Sequence, residues 1–445
     1  MVRFRSLFFL GFVIAVASRP MAGLDEVYVK RGEPQREGRS WVERADCGAS
    51  VQPGARLVLR ADFGSVKVSP GANDRVDCHV RLRVFKSSQE EARQFFRRIE
   101  LSAHRLEGGG LAIIERYPGG HQRGEWSAAE FDFSVPQRFN LDLETRGGDV
   151  EVASLDGELH AVTAGGHVRT GDVSGPVRIE TAGGDIDLGN IGQRLVAQTA
   201  GGGIRVGNIK GDATLETSGG VIFSGMIDGA VRADTSGGDI VLRGASGPVI
   251  AETAGGQIQI GQCGATVHAE TAGGSIRLNG AKGAVIVETA GGSIDLLKME
   301  GAVRAVNSAG RILEEIEANR QSFAASHLET SVGDVQVFIP PDLPLNIDAL
   351  IEESGGHKIV SDFPLHLFAE GEEDTGLGPK RGEGALNGGG KVLRIRTVMG
   401  NIEIHKIDAR FLEQIKQRQE AFWKHWEEEQ KAHKQKCEES NSEPE

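Results

Sequence analysis

Residues 252–280, "ETAGGQIQIGQCGATVHAETAGGSIRLNG", state nearly the same phrase twice in 29 residues, and that repetition decides the architecture. Threonine, usually a small residue, then Gly-Gly recurs every eighteen residues, at Thr145, Thr163, Thr181, Thr199, Thr217, Thr235, Thr253, Thr271 and Thr289, with a degenerate tenth copy at Asn307. Five residues after each landmark stands a β-branched residue, from Val150 and Val168 through Ile186 to Ile312, in all ten copies. Such a column marks a stacked core. Two residues further on, Leu188, Val206, Leu242, Ile260, Leu278 and Leu296 give the period-two alternation of a strand with one buried face. A second apolar column, with Leu159, Val177, Leu195, Val231, Val249, Val267, Val285 and Val303, divides each unit into two halves nine residues apart. Glycine marks both corners, where the chain needs positive φ or close backbone approach.

An eighteen-residue coil of two strand-and-turn halves, stacked at about 4.8 Å, predicts an all-β fold: a single-stranded parallel β-solenoid of about ten coils with two flat sheets. Ten coils make a rod of roughly 50 Å. The hexapeptide left-handed helix shares the coil length, but the polar residues eleven and seventeen after each threonine break its six-residue sub-period. The calcium-binding nonapeptide roll wants glycine two residues after the Gly-Gly pair, where "GGSIRL" and "GGQIQI" carry an apolar residue. No metal and no cofactor are expected.

Composition agrees with an array, since 445 residues contain 62 glycines and only 5% aromatics. The net charge of −13 repels a phosphate backbone, which sets nucleic acid and anionic lipid aside as partners. At the N-terminus Arg3 and Arg5 precede the apolar run "LFFLGFVIAVA" and the small residues Ala15 and Ala17, the pattern of a secretory signal over 1–22 with cleavage after Ala17 or Ala22. Eleven apolar residues are too few to span a bilayer, and no other segment would remain to do so after signal removal. The chain is therefore expected to be exported, to the periplasm, the cell surface or the medium. Cys47 and Cys78 lie in strand-like stretches, either as a disulfide or as two small buried residues. Cys263 falls at a core position of the repeat.

Either side of the regular solenoid over 141–312, the spacing loosens. Residues 40–140 are expected to form a β-rich N-terminal cap with one short helix from Ser88, where Ser88 and Glu91 have capping-box spacing. Residues 313–408 form an irregular solenoid end with insertions, among them "EGEEDTGLGPKRGEGALNGGG" at 370–390, whose charge and glycine suggest a mobile loop. The charged tail over 409–445 is helix-forming, with Phe411, Ile415, Phe422 and Trp426 near one face, suited to lying on the rod's end or to self-association.

The candidates for chemistry are few. Asp149 with Glu151, and Asp185 with Asp187, are spaced as carboxylate pairs, but the column Glu151, Arg169, Asp187, Arg205 alternates in sign from coil to coil and reads as a salt ladder. The histidines fall in no catalytic or metal-binding pattern. One surface column differs: Glu216, Asp234, Glu252, Glu270 and Glu288 place five acids in successive coils. That stripe either keeps the rod soluble or seats cations or a basic partner.

The runs "FDFSVPQRFNLDLETRGGDVEVASLDGELHAVTAGGHVRTGDVSGPV" at 131–177 and "ALNGGGKVLRIRTVMGNIEIHK" at 385–406 resemble the bacterial putative-adhesin family of β-strand-repeat domains of unknown function. The resemblance covers roughly 40 to 408, in the family's order of proline-led strand, Gly-turn ladder and closing "NGGG". It implies a secreted or envelope-associated solenoid with no known catalytic residues. The regular register and the charged tail depart from the family's usual form. The resulting expectation is a non-enzymatic, extracytoplasmic structural or adhesin-like module whose flat faces bind a cell-envelope or surface polymer or protein. The alternative is a polysaccharide-active lyase or hydrolase on a parallel β-helix.

Overall fold

The computed structural model describes residues 27–118, 127–369 and 378–408, with Glu413, Gln417, Glu420 and Lys424 beyond them. The expected signal segment, Cys437 and the stripe of Phe411, Ile415, Phe422 and Trp426 lie outside the described residues. Two sheets, of 19 and 18 strands, face each other across one continuous apolar core. In the regular part each residue pairs in parallel with the one eighteen further on: Ile258 with Ile276 and Thr253 with Thr271, for example. The chain thus forms the β-solenoid that the repeat predicts. Its β-branched column is sealed, with Ile186, Ile204, Ile222, Ile240, Ile258 and Ile294 all at 0% exposure.

Why threonine and why two glycines become clear at the corner between the sheets. The Thr253 hydroxyl donates to the Gly238 carbonyl of the preceding coil at 3.0 Å and accepts from the Gly256 amide of its own coil at 3.2 Å. The same pair of bonds recurs for Thr163, Thr181, Thr199, Thr217, Thr235, Thr271 and Thr289. Threonine therefore satisfies backbone groups that the turn takes out of the sheet ladders. At Asn307 the amide does the same work, donating to Gly292 at 2.7 Å.

The two glycines are not equivalent. A Cβ on Gly256 would overlap the Gly238 carbonyl below it, whereas one on Gly255 would lie 3.7 Å from the Gly237 oxygen, an ordinary contact. The sequence bears the distinction out. Where the motif degenerates, the first position becomes Phe63, Ala309, Val332 or Met399, and the second stays Gly64, Gly310, Gly333 or Gly400.

Parallel stacking continues into both flanks, and each end is interleaved. At the N-terminal end Arg56–Ala61 lies between Asn140–Thr145 and Leu111–Arg116, and Ser65–Pro70 between Val150–Val152 and Ser127–Val135. At the C-terminal end Val392–Met399 lies between Ser326–Val332 and Leu345–Ile351, and Ile402–Lys406 between Val335–Ile339 and Ile359–Ser361. The first coil in sequence is thus second in space, and the last coil stands one in from the other end. Antiparallel strands finish the rod: Arg75–Val84, Ser40–Ser50 and Tyr28–Arg31 in one sheet and Glu100–Arg105 in the other at the first end, then Lys380–Leu386 and His366–Ala369 at the second. Strand edges that would template further pairing are covered in this way.

Cys47 and Cys78 are opposite partners on the antiparallel pair Ser40–Ser50 and Arg75–Val84, and they form a disulfide with Cα atoms 4.8 Å apart. Cys263 is free and buried. The short helix runs Gln89–Phe96, with Ser88 accepting from the Glu91 amide at 3.3 Å, while the Glu91 carboxylate accepts from the Ser87 amide at 3.2 Å and from its hydroxyl at 2.6 Å. One expectation fails. Within the segment read as a mobile loop, Lys380–Leu386 is a strand paired with Leu345–Ile351. Its glycines serve close approach, not freedom: a Cβ on Gly384 would meet Leu365 Cδ2 at 2.6 Å, and one on Gly382 would meet Leu367 Cδ2 at 3.2 Å.

Candidate functional site

The residue before each threonine points away from the core, because strand parity alternates and the threonine faces inward. Glu216, Asp234, Glu252, Glu270 and Glu288 therefore pair rung to rung as one outward column. Along this stretch the residue after each threonine is small, as at Ala182, Ser218, Ala254 and Ala272, and Ser308 follows Asn307 in the same way, so nothing tall stands beside the acids. A groove of about 1190 Å³ results, running from Val162 to Ser308 and taking in all five acids. It crosses nine coils, or about 40 Å at strand spacing.

Each acid finds some compensation from its side. Gln198 donates to Glu216 at 2.6 Å. Arg232 reaches Asp234 at 2.8 Å and Glu252 at 3.3 Å. His268 lies 3.9 Å from Glu270, and Arg304 lies 3.7 Å from Glu288. Two arginines among five carboxylates leave the stripe electronegative. Asp234 shows the consequence: burial first, then the Glu252 and Glu216 charges, raise its pKa against the pull of Arg232.

The opposite sheet behaves otherwise. Its outward column runs Asp132, Lys67, Glu151, Arg169, Asp187, Arg205, alternating in sign at every rung. Lys67 stands 3.8 Å from Glu151, and Asp187 lies 4.0 Å from Arg169 and 3.7 Å from Arg205. Glu151 and Asp187 thus belong to this ladder rather than to catalytic pairs. Exposed pairs of this kind contribute little individually, on the order of 0–1 kcal/mol.

Two buried carboxyls that the sequence pattern does not single out stand in the inward columns of the repeat. Glu314 occupies the inward position held by Leu296 below and Val337 above, is 1% exposed, and has an Oε2 without a hydrogen-bond partner. Burial pushes its pKa up to about 8. Glu115 occupies the threonine column at the N-terminal end, beside Ala61, where its Oε2 accepts from the Asp62 amide at 2.9 Å. Burial, opposed by that amide, raises its pKa to about 7. Among the described residues no group of His, Cys, Asp and Glu is arranged to hold a metal ion, and no helix is long and apolar enough to cross a membrane.

Fold and groove together define a parallel β-solenoid with one acid-lined long side. No family model and no curated protein matches the chain. Among solved structures, a similar chain is a "putative cell adhesion protein" from Clostridium sporogenes, at 10% identity and a TM-score of 0.15, over 81% of this chain and 99% of that one. So loose a likeness carries no argument about function.

Proposed function

We propose that the protein is a non-enzymatic, extracytoplasmic adhesin-like module that binds an extended, positively charged polymer of the cell envelope or surface along the acidic groove. The observation that carries this reading is the groove's repetition: the same small-residue floor and acid wall recur from coil to coil. A linear ligand with regularly spaced cationic groups meets the same surface at every step, so weak contacts add along its length. A catalytic site, by contrast, is a local break in repetition that gathers unlike groups. The Cys47–Cys78 disulfide supports export, because such bonds persist in oxidising compartments.

The test is capture of polylysine and of a neutral glucan by the mature protein and by the Glu252→Gln, Glu270→Gln, Glu288→Gln triple variant. The proposal expects salt-sensitive capture of polylysine, none of the glucan, and at least a tenfold loss in the variant. Equal capture by both proteins removes the groove from the function. Cleavage of a charged polysaccharide, lost in the variant, makes the protein an enzyme instead.

A further inference from the structure

The eighteen-residue register ends within one coil, and several irregularities meet there. Thr289 still pairs with Asn307 eighteen residues on, but the Val303 amide donates to the Ser326 hydroxyl across a separation of 23, and Ile312 pairs with Val335 at the same spacing. On the near side of that coil, the pairing of Ile294–Met299 with Ile312–Ile316 slips between Leu296 and Met299. Inside the slip Lys298 has a φ of 58°, in the left-handed region that side chains disfavour.

The same coil holds two carboxyls. Strand parity turns Glu314 inward and Glu315 outward, yet both are buried, at 1% and 2% exposure, and neither Oε2 has a hydrogen-bond partner among the described residues. Glu314 lies between Leu296 and Val337, and across the core Val303–Ala309 and Ser326–Val332 bury no charged residue. Nothing there offsets the burial that raises its pKa. Around Glu315 stand Lys298 from the strand below, Glu317 from its own segment, and Phe338 from the strand above. Burial raises its pKa, the Lys298 charge opposes the rise, and the Glu317 charge adds to it. Asp295, the other charged residue of the strand below, engages Arg311 at 2.6 Å and Arg277 at 3.1 Å. An ionised carboxylate is poorly solvated in either place, so deprotonation favours a coil that opens to water.

We infer that Ile312–Ile316 is a pH-sensitive joint, at which loss of protons from Glu314 and Glu315 releases the rod from residue 312 onward, as one unit, from the regular coils. The slip, the left-handed Lys298 and the change of spacing place the joint where the ladders are already interrupted. The acidic groove ends at Ser308, so release leaves it in place and uncovers the strand edges of the last regular coil. In the open state Glu314 regains its ordinary value of 4.5, so each pH unit from there to about 8 favours opening by about tenfold.

Hydrogen exchange on the full chain tests this, read as protection relative to the intrinsic rate at each pH. From pH 5 to 8, amides of Ile312–Ile316, Val335–Ile339 and Ile402–Lys406 should lose protection together, by about tenfold per unit, while those of Val249–Thr253 keep theirs. A Glu314→Gln, Glu315→Gln double variant, neutral at every pH, should lose this dependence. Protection that does not change with pH in the parent overturns the inference, whether or not the variant folds. So does a dependence that the double variant retains, a loss that Val249–Thr253 shares, which would be global unfolding, or one confined to Ile312–Ile316, which would be local fraying.

Discussion

At the scale of single residues, the corner glycines give the sharpest expectation. Gly255→Ala leaves the turn intact and removes freedom from the unfolded chain, so stability should hold or rise by up to about 1 kcal/mol. Gly256→Ala forces a methyl into the Gly238 carbonyl and should cost on the order of 3 kcal/mol or more. Denaturant unfolding of the two variants checks the contrast, and equal effects would mean the coils do not stack as described. Glu314 is the second case. Its folded pKa of about 8 lies above the ordinary 4.5, so the carboxyl folds protonated, and each unit of pH from 4.5 to 8 takes away about 1.4 kcal/mol. Glu314→Leu matches the Leu296 beneath it and should stabilise by roughly 3 kcal/mol at pH 7, with this pH-dependent gain absent below pH 4.5. A gain independent of pH would show that the carboxyl is not carried neutral into the core. The eighteen-residue register already places Glu314 at a leucine position, but reading the column as mostly apolar conceals the exception.

Among elements, the two outward columns carry opposite electrostatic logic on the same backbone. Alternating charges at Lys67, Glu151, Arg169, Asp187 and Arg205 attract across rungs, whereas successive acids from Glu216 to Glu288 repel. Asp234 has a raised pKa, so its ionisation opposes folding and the cost grows as pH rises through the carboxylate range. Asp234→Asn should therefore raise the melting temperature at pH 7 and lose that advantage near pH 3, provided Arg232 keeps its contact with Glu252. Thermal scans at both pH values decide it; destabilisation at pH 7 would show that the Arg232 pair outweighs the repulsion. The strands, their parity and both columns were legible in the sequence because an eighteen-residue period fixes which residues meet. The groove was less so. It depends on small residues after the threonine leaving space beside the acids, a relation between columns that no single column reveals. The strand at Lys380–Leu386 was missed because glycine reads as freedom until the leucines that lie on it are placed.

For the whole molecule, interleaving at both ends means that, among the described residues, neither the first nor the last parallel coil in sequence stands outermost in the stack. The last strand, Ile402–Lys406, has a parallel neighbour on each side, and the first region is tied by the Cys47–Cys78 bond across two antiparallel strands. Considered as a tether under load, such a rod resists being peeled from its C-terminal end, where Ile402–Lys406 must shear from two neighbours at once rather than unzip from one. At the other end, tension drawn along the first strands passes through the disulfide and bypasses the segment between Cys47 and Cys78, a sequence separation of 31. Pulling a single molecule from residue 27 to residue 408 should therefore yield a total extension about 10 nm shorter in the oxidised protein than after reduction, at about 3.5 Å per residue less the span of the bond itself. Equal extensions would mean that the bond is not formed in the mature protein. A hidden length released only by reduction would make the chain's reach between two surfaces depend on the redox state of the space it bridges.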